Sequence, residues 1–511
     1  MTGVRQKPIE TLLSALSVTR PARERLPIGD YVVHWFRGDL RLTDNTALSL
    51  ASRAARTAGE GVGLVGLYVL SPQDLEAHVV SPAKLDFALR SLRVLKGDLE
   101  REFGVPLWIE VVKRRKDVTK RVLELCRRWG AGRLFANMEY EVDELRRDAK
   151  IVKDGVGYGV SVEVVHDLCV VPPGDLSKRP FTAYTPWFEA WVENIHSRPS
   201  RLELFPPPER NPDSFREAHA SLFDSPIPSA PPRKALEGKE QAEYLASLYP
   251  AGEHAAQARQ KVPEGPGGRL PDMLSVHFAS GTLSARQAVR PAEDANSIKA
   301  FDRESKGIQT WISAVARRDF YKHVLVNWPF IWYAPLHPQP TSTTPLTESH
   351  FRAFCTGHTG FPIVDAAIRQ LLKTNQPCTL NIDWRRGERF FMEHLIDGDF
   401  ASNNAGWGWC AGAGVGPQRY FLVLNPTKQS LQFDPSGEYI RTWVEELRGV
   451  KEEEGRAVHA PFQILGEEGV KQIGYVAPLV EHEVSRARFL EAYKGGSGGK
   501  KRLIDSSYAP F

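Results

Sequence analysis

Residues 382–407 read Ile-Asp-Trp-Arg-Arg-Gly-Glu-Arg-Phe-Phe-Met-Glu-His-Leu-Ile-Asp-Gly-Asp-Phe-Ala-Ser-Asn-Asn-Ala-Gly-Trp. Asp397 and Asp399 flank a glycine directly after a segment with helical spacing, and Asn403 and Asn404 follow them. Carboxylates accept hydrogen bonds and amides both donate and accept them, so these side chains could hold a polar heterocycle by its ring N–H groups. A capped helix-loop-helix without a ligand explains the same pattern.

Two tryptophans, Trp384 and Trp407, stand near the ends of this stretch. They could form a chain for electron transfer, although most tryptophans are simply large core residues. The H-E-x-x-H zinc signature is absent here, because Glu393-His394 has no second histidine at the required offset. No metal site is expected.

Segments with helical spacing surround this stretch, and strand patterns are scarce after residue 240. The sequence therefore predicts a mostly α second domain, with helices at 284–289, 311–326, 361–372, 389–395 and 439–447. Asp434-Pro-Ser-Gly437 is typical of a turn that begins the last of these helices.

The first 170 residues follow a different pattern, in which short apolar runs alternate with helical segments. Strands are expected at 31–36, 63–70, 108–112, 133–137 and 162–166, with helices at 46–55, 85–103 and 118–129. Such alternation predicts a doubly wound parallel sheet. The fold class is thus an α/β N-terminal domain followed by an all-α C-terminal domain.

A charged block, Trp35-Phe-Arg-Gly-Asp-Leu-Arg-Leu-Thr-Asp-Asn-Thr-Ala-Leu48, begins at the end of the first predicted strand. Open α/β sheets bind ligands at this edge, so its arginines and aspartates could line a site. They could equally form a salt-bridged loop in which Asp44 or Asn45 caps the next helix. Neither G-x-G-x-x-G nor a P-loop occurs, so nucleotide sites of those kinds are unsupported.

Shifts in composition divide the chain into five parts. We expect an N-terminal extension (1–28), an α/β domain (29–170), a proline-rich inter-domain linker (171–239), a helical domain (240–448) and a C-terminal segment with a basic tail (449–511). Within the linker, residues 181–188 are expected to be ordered.

Bulk properties narrow the class of protein without naming a reaction. The net charge of +4 permits a nucleic-acid partner but does not require one. The five cysteines form no C-x-x-C pair, which favours a reducing compartment and argues against a disulfide framework. No apolar run is long enough to span a bilayer, and no secretory signal follows the start.

The chain resembles the DNA photolyase/cryptochrome family from about residue 31 to 448, and is most similar to class I cyclobutane pyrimidine dimer photolyases of the bacterial and fungal type. The resemblance rests on five blocks: residues 35–48, Leu283-Ser-Ala-Arg286, Gly360-Phe-Pro-Ile-Val-Asp-Ala-Ala367, residues 382–407, and Asn425 to Trp443. It implies an α/β antenna domain and a helical domain that holds FAD. Reduced FAD would use blue light to donate an electron to a pyrimidine dimer flipped out of DNA.

The same resemblance assigns roles to individual residues of this chain. FAD-binding roles fall on Ser275, Arg318, Asp397, Gly398, Asp399 and Asn403. Ser275 would contact a phosphate, the two aspartates would face the polar edge of the flavin, and Asn403 would lie at its N5 atom. Trp407 and Trp384 would be the inner and middle members of a photoreduction chain.

Contacts with DNA and with a second chromophore are implied as well. Arg317 and Arg318 would contact the lesion in double-stranded DNA that contains pyrimidine dimers. Glu144 matches an acid that contacts a folate antenna in some relatives, and the antenna would be methenyltetrahydrofolate or a deazaflavin. The protein is expected to be a monomer without a membrane partner. The nucleus is the expected compartment, with mitochondrion and cytoplasm as alternatives.

Several positions depart from the family pattern. The phosphate clamp Thr-Ser-Arg-Leu-Ser reads Pro271-Asp-Met-Leu-Ser275, which places the negative charge of Asp272 where pyrophosphate should lie. A lesion-contacting glutamate is replaced by Ala314, and a stacking tryptophan by Arg317. Arginine can still stack on bases, so part of that contact could survive.

A larger departure from the family pattern lies just before residues 382–407. Between Gln370 and Ile382 the chain lacks the family's longer helix, which supplies lesion contacts and an arginine partner for the aspartate matched by Asp397. In addition, the family's photoreduction chain has a third, outer tryptophan, and Trp332 lies too early in this sequence to match it. Three hypotheses remain: a working photolyase, a degenerate or truncated relative that does not repair DNA, and a cryptochrome-like light sensor. The departures predict weak or absent repair.

Overall fold

The computed structural model describes residues 6–59, 61–177, 179–260, 274–296, 306–330, 348–375, 384–410, 424–450 and 456–496. The chain divides into two compact units. The first unit comprises Met1–Phe330 with Ile396–Ser402, and the second comprises Ile331–Leu395 with Asn403–Phe511.

A parallel sheet organises the first unit. Its strands are β1 (Tyr31–Phe36), β2 (Gly63–Leu70), β3 (Leu107–Val111), β4 (Ala131–Asn137) and β5 (Ser161–Val165). They lie in the order β3-β2-β1-β4-β5, and every pairing is parallel. This confirms the predicted doubly wound sheet, and β1 lies beside β4 at the point where the strand order reverses.

Helices of the first unit precede, separate and follow these strands. They are α1 (Pro8–Glu24), α2 (Thr46–Thr57), α3 (Pro72–Ala77), α4 (Pro82–Glu102), α5 (Val118–Trp129), α6 (Val142–Gly157), α7 (Tyr184–Ser197), α8 (Asp213–Ala218), α9 (Lys239–Leu248), α10 (Glu253–Arg259), α11 (Leu274–Ser280), α12 (Ala285–Asn296) and α13 (Lys306–Asn327).

Further helices follow along the chain, and the last two lie in the C-terminal segment, for which the sequence analysis predicted no helix. They are α14 (Glu348–Cys355), α15 (Pro362–Thr374), α16 (Trp384–His394), α17 (Phe400–Cys410), α18 (Pro426–Phe433), α19 (Glu438–Trp443), α20 (Pro461–Gln472) and α21 (His482–Gly496). Asp434 accepts hydrogen bonds from the backbone N–H groups of Tyr439 and Ile440, at 3.1 and 3.0 Å. The turn before α19 is therefore structural, as expected.

The proline-rich segment packs closely on the sheet. The side chain of Asn211 accepts a hydrogen bond from the backbone N–H of Leu64 and donates one to its carbonyl oxygen, both at 2.9 Å. A Cβ atom on Gly63 would lie 1.8 Å from the ring of Phe215. Only glycine therefore lets this segment cross β2 so closely.

The N-terminal segment is more ordered than its sequence indicated. Helix α1 buries Ile9, Leu12 and Ala15 in the same hydrophobic cluster as the sheet. Near its end, Arg23 donates a hydrogen bond to the carbonyl oxygen of Val162 on β5, at 3.0 Å. Residues 8–24 are thus an integral layer of the α/β fold.

Replacing Leu12 with alanine should lower the free energy of unfolding by about 2–3 kcal/mol, because it leaves a cavity at a fully buried position. Urea denaturation of the full chain measures this loss. Val18 on the same helix is 76% exposed, so Val18→Ala should change stability by less than about 0.5 kcal/mol. Equal effects of the two substitutions would show that α1 does not pack as described.

The charged block after β1 forms a buried ion-pair network. Arg286 of α12 approaches Asp167 at 2.7 Å and Asp44 at 2.9 Å, and Arg41 forms a further ion pair with Asp167. All four side chains are at least nine-tenths buried. Asn45 accepts a hydrogen bond from the N–H of Leu48 and thereby caps α2. The salt-bridged, capped loop was therefore the correct interpretation for Asp44 and Asn45.

The described helices include none with the length and apolar character needed to cross a membrane. Among the described residues, Cys126, Cys169 and Cys355 are free thiols.

Candidate functional site

The loop between α16 and α17 places Asp399 in a fully paired environment. Its Oδ1 atom accepts a hydrogen bond from the N–H of Ser402 at 2.8 Å and so caps α17. Its Oδ2 atom accepts one from the Nζ of Lys322 at 2.7 Å. Burial opposes ionisation, but the charges of Lys322 and Arg318 hold the pKa of Asp399 well below its usual value. Asp399 is therefore an ionised anchor.

Asp397, two residues earlier, is in a different situation. Its Oδ1 atom is buried and has no hydrogen-bond partner within the described part of the chain. Burial raises the pKa of Asp397, and a hydrogen bond with Ser275 and the nearby charge of Lys84 oppose this only in part. The ammonium group of Lys84 instead donates to the carbonyl oxygen of Gly398 at 2.5 Å. One buried acceptor is thus left without a donor among the described residues.

Two neighbouring arginines on α13 point to different surroundings. Arg318 donates hydrogen bonds to the carbonyl oxygens of Leu168 and Phe278, at 2.8 and 3.3 Å. Arg317 is exposed, and its guanidinium carbon lies 4.4 Å from the ring centroid of Tyr184. Arg318 thus ties α13 to the surrounding backbone, while Arg317 and Tyr184 form a cation–π pair.

In the second unit, Asn403 pairs with an acid that sequence reasoning did not identify. The Nδ2 atom of Asn403 donates to the backbone oxygen of Glu388 at 3.1 Å and to its Oε1 at 2.9 Å. Burial raises the pKa of Glu388 to about 7, while the hydrogen bond from Asn403 and the charge of Arg389 lower it. Glu388 and Asn403 thus link α16 to α17.

Trp407 is firmly packed in the second unit. Its ring meets that of Phe391 edge-on, with 5.1 Å between the centroids, and the residue is 6% exposed. A Cβ atom on Gly387 would lie 2.3 Å from the indole of Trp407, so α16 needs glycine at this position. Trp384 begins α16, but its side chain lies outside the described residues. The proposed tryptophan chain therefore stays a prediction.

In the first unit, Glu144 lies in the first turn of α6 within an ion-pair cluster. The Nε2 atom of His78 is 3.0 Å from its Oε1, and Arg147 lies 3.9 Å away. Burial lowers the pKa of His78, but Glu144 and Asp74 overcome this effect and raise it to about 9. The Oε2 atom of Glu144 is buried without a hydrogen-bond partner in the described residues.

This cluster continues to the point where β1 and β4 meet. The guanidinium carbons of Arg37 and Arg147 each lie 5.1 Å from the ring centroid of Trp35. Arg37 pairs with Asp148 at 2.6 Å, and Arg147 with Glu139 at 2.8 Å. Nevertheless, the Nε atoms of both arginines and Oδ2 of Asp148 are buried without hydrogen-bond partners among the described residues. The two Nε atoms lie within ion-pair distance of carboxylates, at 3.5 Å from Glu139 and 3.6 Å from Asp148, whereas the free carboxylate oxygens of Glu144 and Asp148 make no hydrogen bond in this part of the chain. Buried polar atoms without hydrogen bonds at the switch point of a parallel sheet make this a candidate ligand site.

Some predicted features lie outside the described residues. They are Asp272 of the altered phosphate clamp, Trp332, most of the shortened stretch before Ile382, and the basic tail from residue 497.

Comparison with protein families gives two matches that together span most of the chain. Residues 32–209 match the DNA photolyase family, and residues 278–376 and 377–495 match the FAD binding domain of DNA photolyase. The chain belongs to the DNA photolyase family. Its predicted fold class and its FAD-binding domain are thereby confirmed, while the role of each site residue stays a prediction.

Relatives within the family cover nearly the whole chain. A deoxyribodipyrimidine photo-lyase of Neurospora crassa is 49% identical over 96% of this chain and 86% of its own length. One from Vibrio cholerae is 32% identical over 91% of this chain and 99% of its own. These similarities favour the first of the three hypotheses, an active photolyase, over a degenerate relative.

Solved structures of photolyase and cryptochrome share the fold. A class III photolyase of Agrobacterium tumefaciens matches with a TM-score of 0.74 and 23% identity over 91% of this chain and 97% of its own. A cryptochrome of Synechocystis matches with a TM-score of 0.72 and 22% identity over 90% and 98%. At this identity the likeness shows the fold alone.

Proposed function

We propose that this chain is a deoxyribodipyrimidine photo-lyase, which uses FAD and blue light to split cyclobutane pyrimidine dimers in DNA. Relatives that carry this name cover nearly all of the chain. The observation that carries the proposal is the contrast between two neighbouring carboxylates. Asp399 has a partner for each oxygen, whereas Asp397 keeps a buried oxygen that has none in the described part of the chain.

The side chains of this loop fit a flavin. A bound FAD would supply the light-driven electron transfer, and the chain would bind and orient it. Asp397 would accept a hydrogen bond from a ring N–H, which would satisfy its unused oxygen. Lys322 and Ser402 keep Asp399 ionised and fixed. The backbone oxygen of Gly398 is held in the same way by Lys84.

Arg317 and Tyr184 supply a surface suited to an unstacked base. The exposed guanidinium lies over the tyrosine ring in a cation–π pair, and a guanidinium at the surface can also stack on a nucleobase. Tyr184 is held in turn by a hydrogen bond with the hydroxyl of Ser313 at 3.0 Å. We propose that this pair contacts the flipped pyrimidines in place of the missing tryptophan.

Light-dependent repair of a dimer-containing oligonucleotide by the purified, FAD-loaded protein tests the function. We expect dimers to disappear under blue light and to persist in darkness. If the protein binds FAD but leaves the dimers intact, the light-sensor hypothesis replaces this one. Ala314→Glu restores the lesion-contacting acid and should speed repair, since the sequence predicts that its absence weakens the reaction.

We also propose that a light-harvesting chromophore, a folate or a deazaflavin, binds where β1 meets β4. The carboxylate oxygens of Glu144 and Asp148 that make no hydrogen bond among the described residues support this site. Because such chromophores fluoresce, titration of the protein with methenyltetrahydrofolate or a deazaflavin would reveal binding. Glu144→Gln should weaken it, while Asp143→Asn, at an exposed position of the same turn, should not. Equal binding by both variants would remove Glu144 from the site.

We expect the protein to act as a monomer in the nucleus, with mitochondria and the cytoplasm as alternatives. One relative, from Saccharomyces cerevisiae, is named as a mitochondrial enzyme, so each compartment needs to be tested. Size-exclusion chromatography and imaging of the tagged protein would establish both properties.

Trp407→Phe should largely abolish light-driven reduction of bound flavin, because phenylalanine keeps the packing against Phe391 but is much harder to oxidise than tryptophan. Absorption spectra recorded during blue illumination with an external reductant measure the rate. Trp409 lies two residues further on and is 40% exposed, so Trp409→Phe is the matched control. Photoreduction at the native rate in Trp407→Phe would remove it from the electron path.

A further inference from the structure

A row of three aromatic rings runs along α7, and the proposed reaction gives no role to its buried end. The ring centroids of Trp191 and Trp187 lie 6.2 Å apart in a stacked pair, and Trp187 stacks on Tyr184 at 6.0 Å. Both tryptophans are fully buried, whereas Tyr184 is half-buried. This aromatic row (Tyr184, Trp187 and Trp191) therefore leads from the interior of the first unit toward its surface.

The hydrogen bonds of the two indole groups distinguish the aromatic row from ordinary core packing. Trp191 Nε1 donates to Oδ2 of Asp319 at 3.2 Å, and Trp187 Nε1 donates to Nδ1 of His323, also at 3.2 Å. Both acceptors belong to α13, and both can take up a proton. A neutral acceptor would satisfy a buried N–H group without the cost of burying an acid.

A neighbouring tryptophan shows this simpler solution. Trp311, at the start of the same helix α13, is 2% exposed, and its Nε1 atom donates to the carbonyl oxygen of Ala288 at 2.7 Å. The fold thus satisfies one buried indole with a backbone oxygen. Proton acceptors at both indoles of the aromatic row call for a separate explanation.

Both acceptors are in the form that can receive a proton. His323 Nε2 lies 2.8 Å from the carbonyl oxygen of Val171, so Nε2 carries the proton and Nδ1 keeps a lone pair. Burial lowers the pKa of His323 to about 4, which leaves it neutral at physiological pH. Burial raises the pKa of Asp319 to about 6, so its carboxyl group is still mostly ionised there.

We propose that the aromatic row carries oxidising equivalents from the buried core to the protein surface. This role goes beyond the proposed function, because it requires neither DNA nor repair. A one-electron oxidant, such as a photoexcited oxidised flavin, takes one electron from Trp191. As the electron leaves, the indole proton moves from Nε1 to the carboxylate of Asp319.

The oxidised site then moves outward in two further steps. Trp187 gives an electron to Trp191 and its Nε1 proton to His323, while Asp319 returns its proton to Trp191. Tyr184 reduces Trp187 in the same way, and His323 returns its proton. The phenol of Tyr184, which is hydrogen-bonded to Ser313, releases its own proton to water.

The last step takes place beside an exposed cation. The guanidinium carbon of Arg317 lies 4.4 Å from the ring centroid of Tyr184, so a positive charge on this ring is disfavoured but a neutral phenoxyl radical is not. A thiol then donates a hydrogen atom to the phenoxyl oxygen and restores the tyrosine. In sum, one electron passes from the thiol to the oxidant, and both indoles regain their protons.

A photo-oxidant attached near the buried end tests the aromatic row. Glu193 is exposed on α7, two residues from Trp191, so Glu193→Cys in the full chain can carry a ruthenium polypyridyl complex. After a flash and oxidative quenching, transient absorption should show an indolyl radical that gives way to a phenoxyl radical. The flavin-free protein is used, so the result does not depend on the proposed function.

Substitutions in the aromatic row should interrupt this sequence at defined points. Tyr184→Phe should abolish the phenoxyl signal and prolong the indolyl radical severalfold. Trp187→Phe keeps a ring in the stack but should slow phenoxyl formation severalfold. Phe188→Leu is the matched control and should leave the rate unchanged, because Phe188 also stacks on Tyr184 and Trp191, at 5.6 and 5.9 Å, but is much harder to oxidise.

Asp319→Asn tests the proton step separately. Asparagine keeps an acceptor oxygen for Trp191 but cannot take up its proton, so formation of the indolyl radical should slow severalfold and lose its solvent deuterium isotope effect. Circular dichroism checks that each variant folds, and if Asp319→Asn does not, Tyr184→Phe and Trp187→Phe decide. Phenoxyl formation at the native rate in Trp187→Phe, or an unchanged phenoxyl signal in Tyr184→Phe, would overturn the proposal.

Discussion

Arg286→Ala is expected to lower the free energy of unfolding by about 3–5 kcal/mol, because it leaves Asp44 and Asp167 buried without the cation that they share. Arg41 still reaches Asp167, but among the residues that the structure describes the Asp44 carboxylate would keep only neutral donors, such as the hydroxyl of Ser284. Urea denaturation of the full chain at neutral pH measures the loss.

Arg286→Lys tests the geometry of this network. Lysine keeps the charge but has no planar fork to reach both carboxylates, so most of the loss should remain. The matched control is Arg290→Ala, one turn further along α12. Arg290 donates to the carbonyl oxygen of Leu202 at 3.2 Å, so its removal should cost no more than about 1.5 kcal/mol. Similar losses for Arg286→Ala and Arg290→Ala would argue against the network.

The stability lost in Arg286→Ala should depend on pH in one direction. Burial opposes ionisation of Asp167, but Arg41 and Arg286 hold its pKa well below the ordinary value. In the unfolded chain an aspartate has a pKa of about 4, and in the folded protein the pKa of Asp167 is lower. Its ionisation therefore stabilises the fold fully above about pH 4, and this stabilisation is lost as the pH falls through the lower, folded pKa. The difference between the native protein and Arg286→Ala should therefore shrink below about pH 4.

The sheet could be predicted from sequence because each strand is a short, mostly apolar run bounded by polar turns. For example, the run at 63–70 coincides with β2. Helix α1 could not be predicted in the same way, because Pro21 and several arginines obscure its buried stripe of Ile9, Leu12 and Ala15. Its order comes from packing against the sheet, which no local pattern encodes.

The sequence predicted which residues could form the candidate site, but not which of them form ion pairs or hydrogen bonds with each other. Asp397 and Asp399 look equivalent in sequence, yet Lys322, far away along the chain, pairs with only one of them. Glu388 gave a faint signal, as an acid on the otherwise apolar face of α16 that carries Phe391. Charge partnerships depend on contacts distant in sequence, so spacing alone could not distinguish an anchor from a binding group.

Asp397→Asn is expected to weaken FAD binding by about ten- to a hundredfold, because a ring N–H would lose a hydrogen bond to a charged acceptor. The stability of the protein without FAD should stay unchanged or rise. Burial raises the pKa of Asp397, so its ionisation destabilises the fold as the pH rises above about 4, and a neutral amide removes this penalty. Flavin titration and urea denaturation of the flavin-free protein measure the two effects.

Asp399→Asn is the control, in which FAD binding and the stability of the flavin-free protein should both decrease. Its carboxylate neutralises Lys322, which is 4% exposed at its side chain, so the substitution leaves a buried cation poorly paired. The flavin-free protein should then lose about 3–5 kcal/mol of stability. If Asp397→Asn destabilises the flavin-free protein as much as Asp399→Asn does, then Asp397 already has a partner within the chain. Its unused oxygen could then no longer be offered as the acceptor for a flavin.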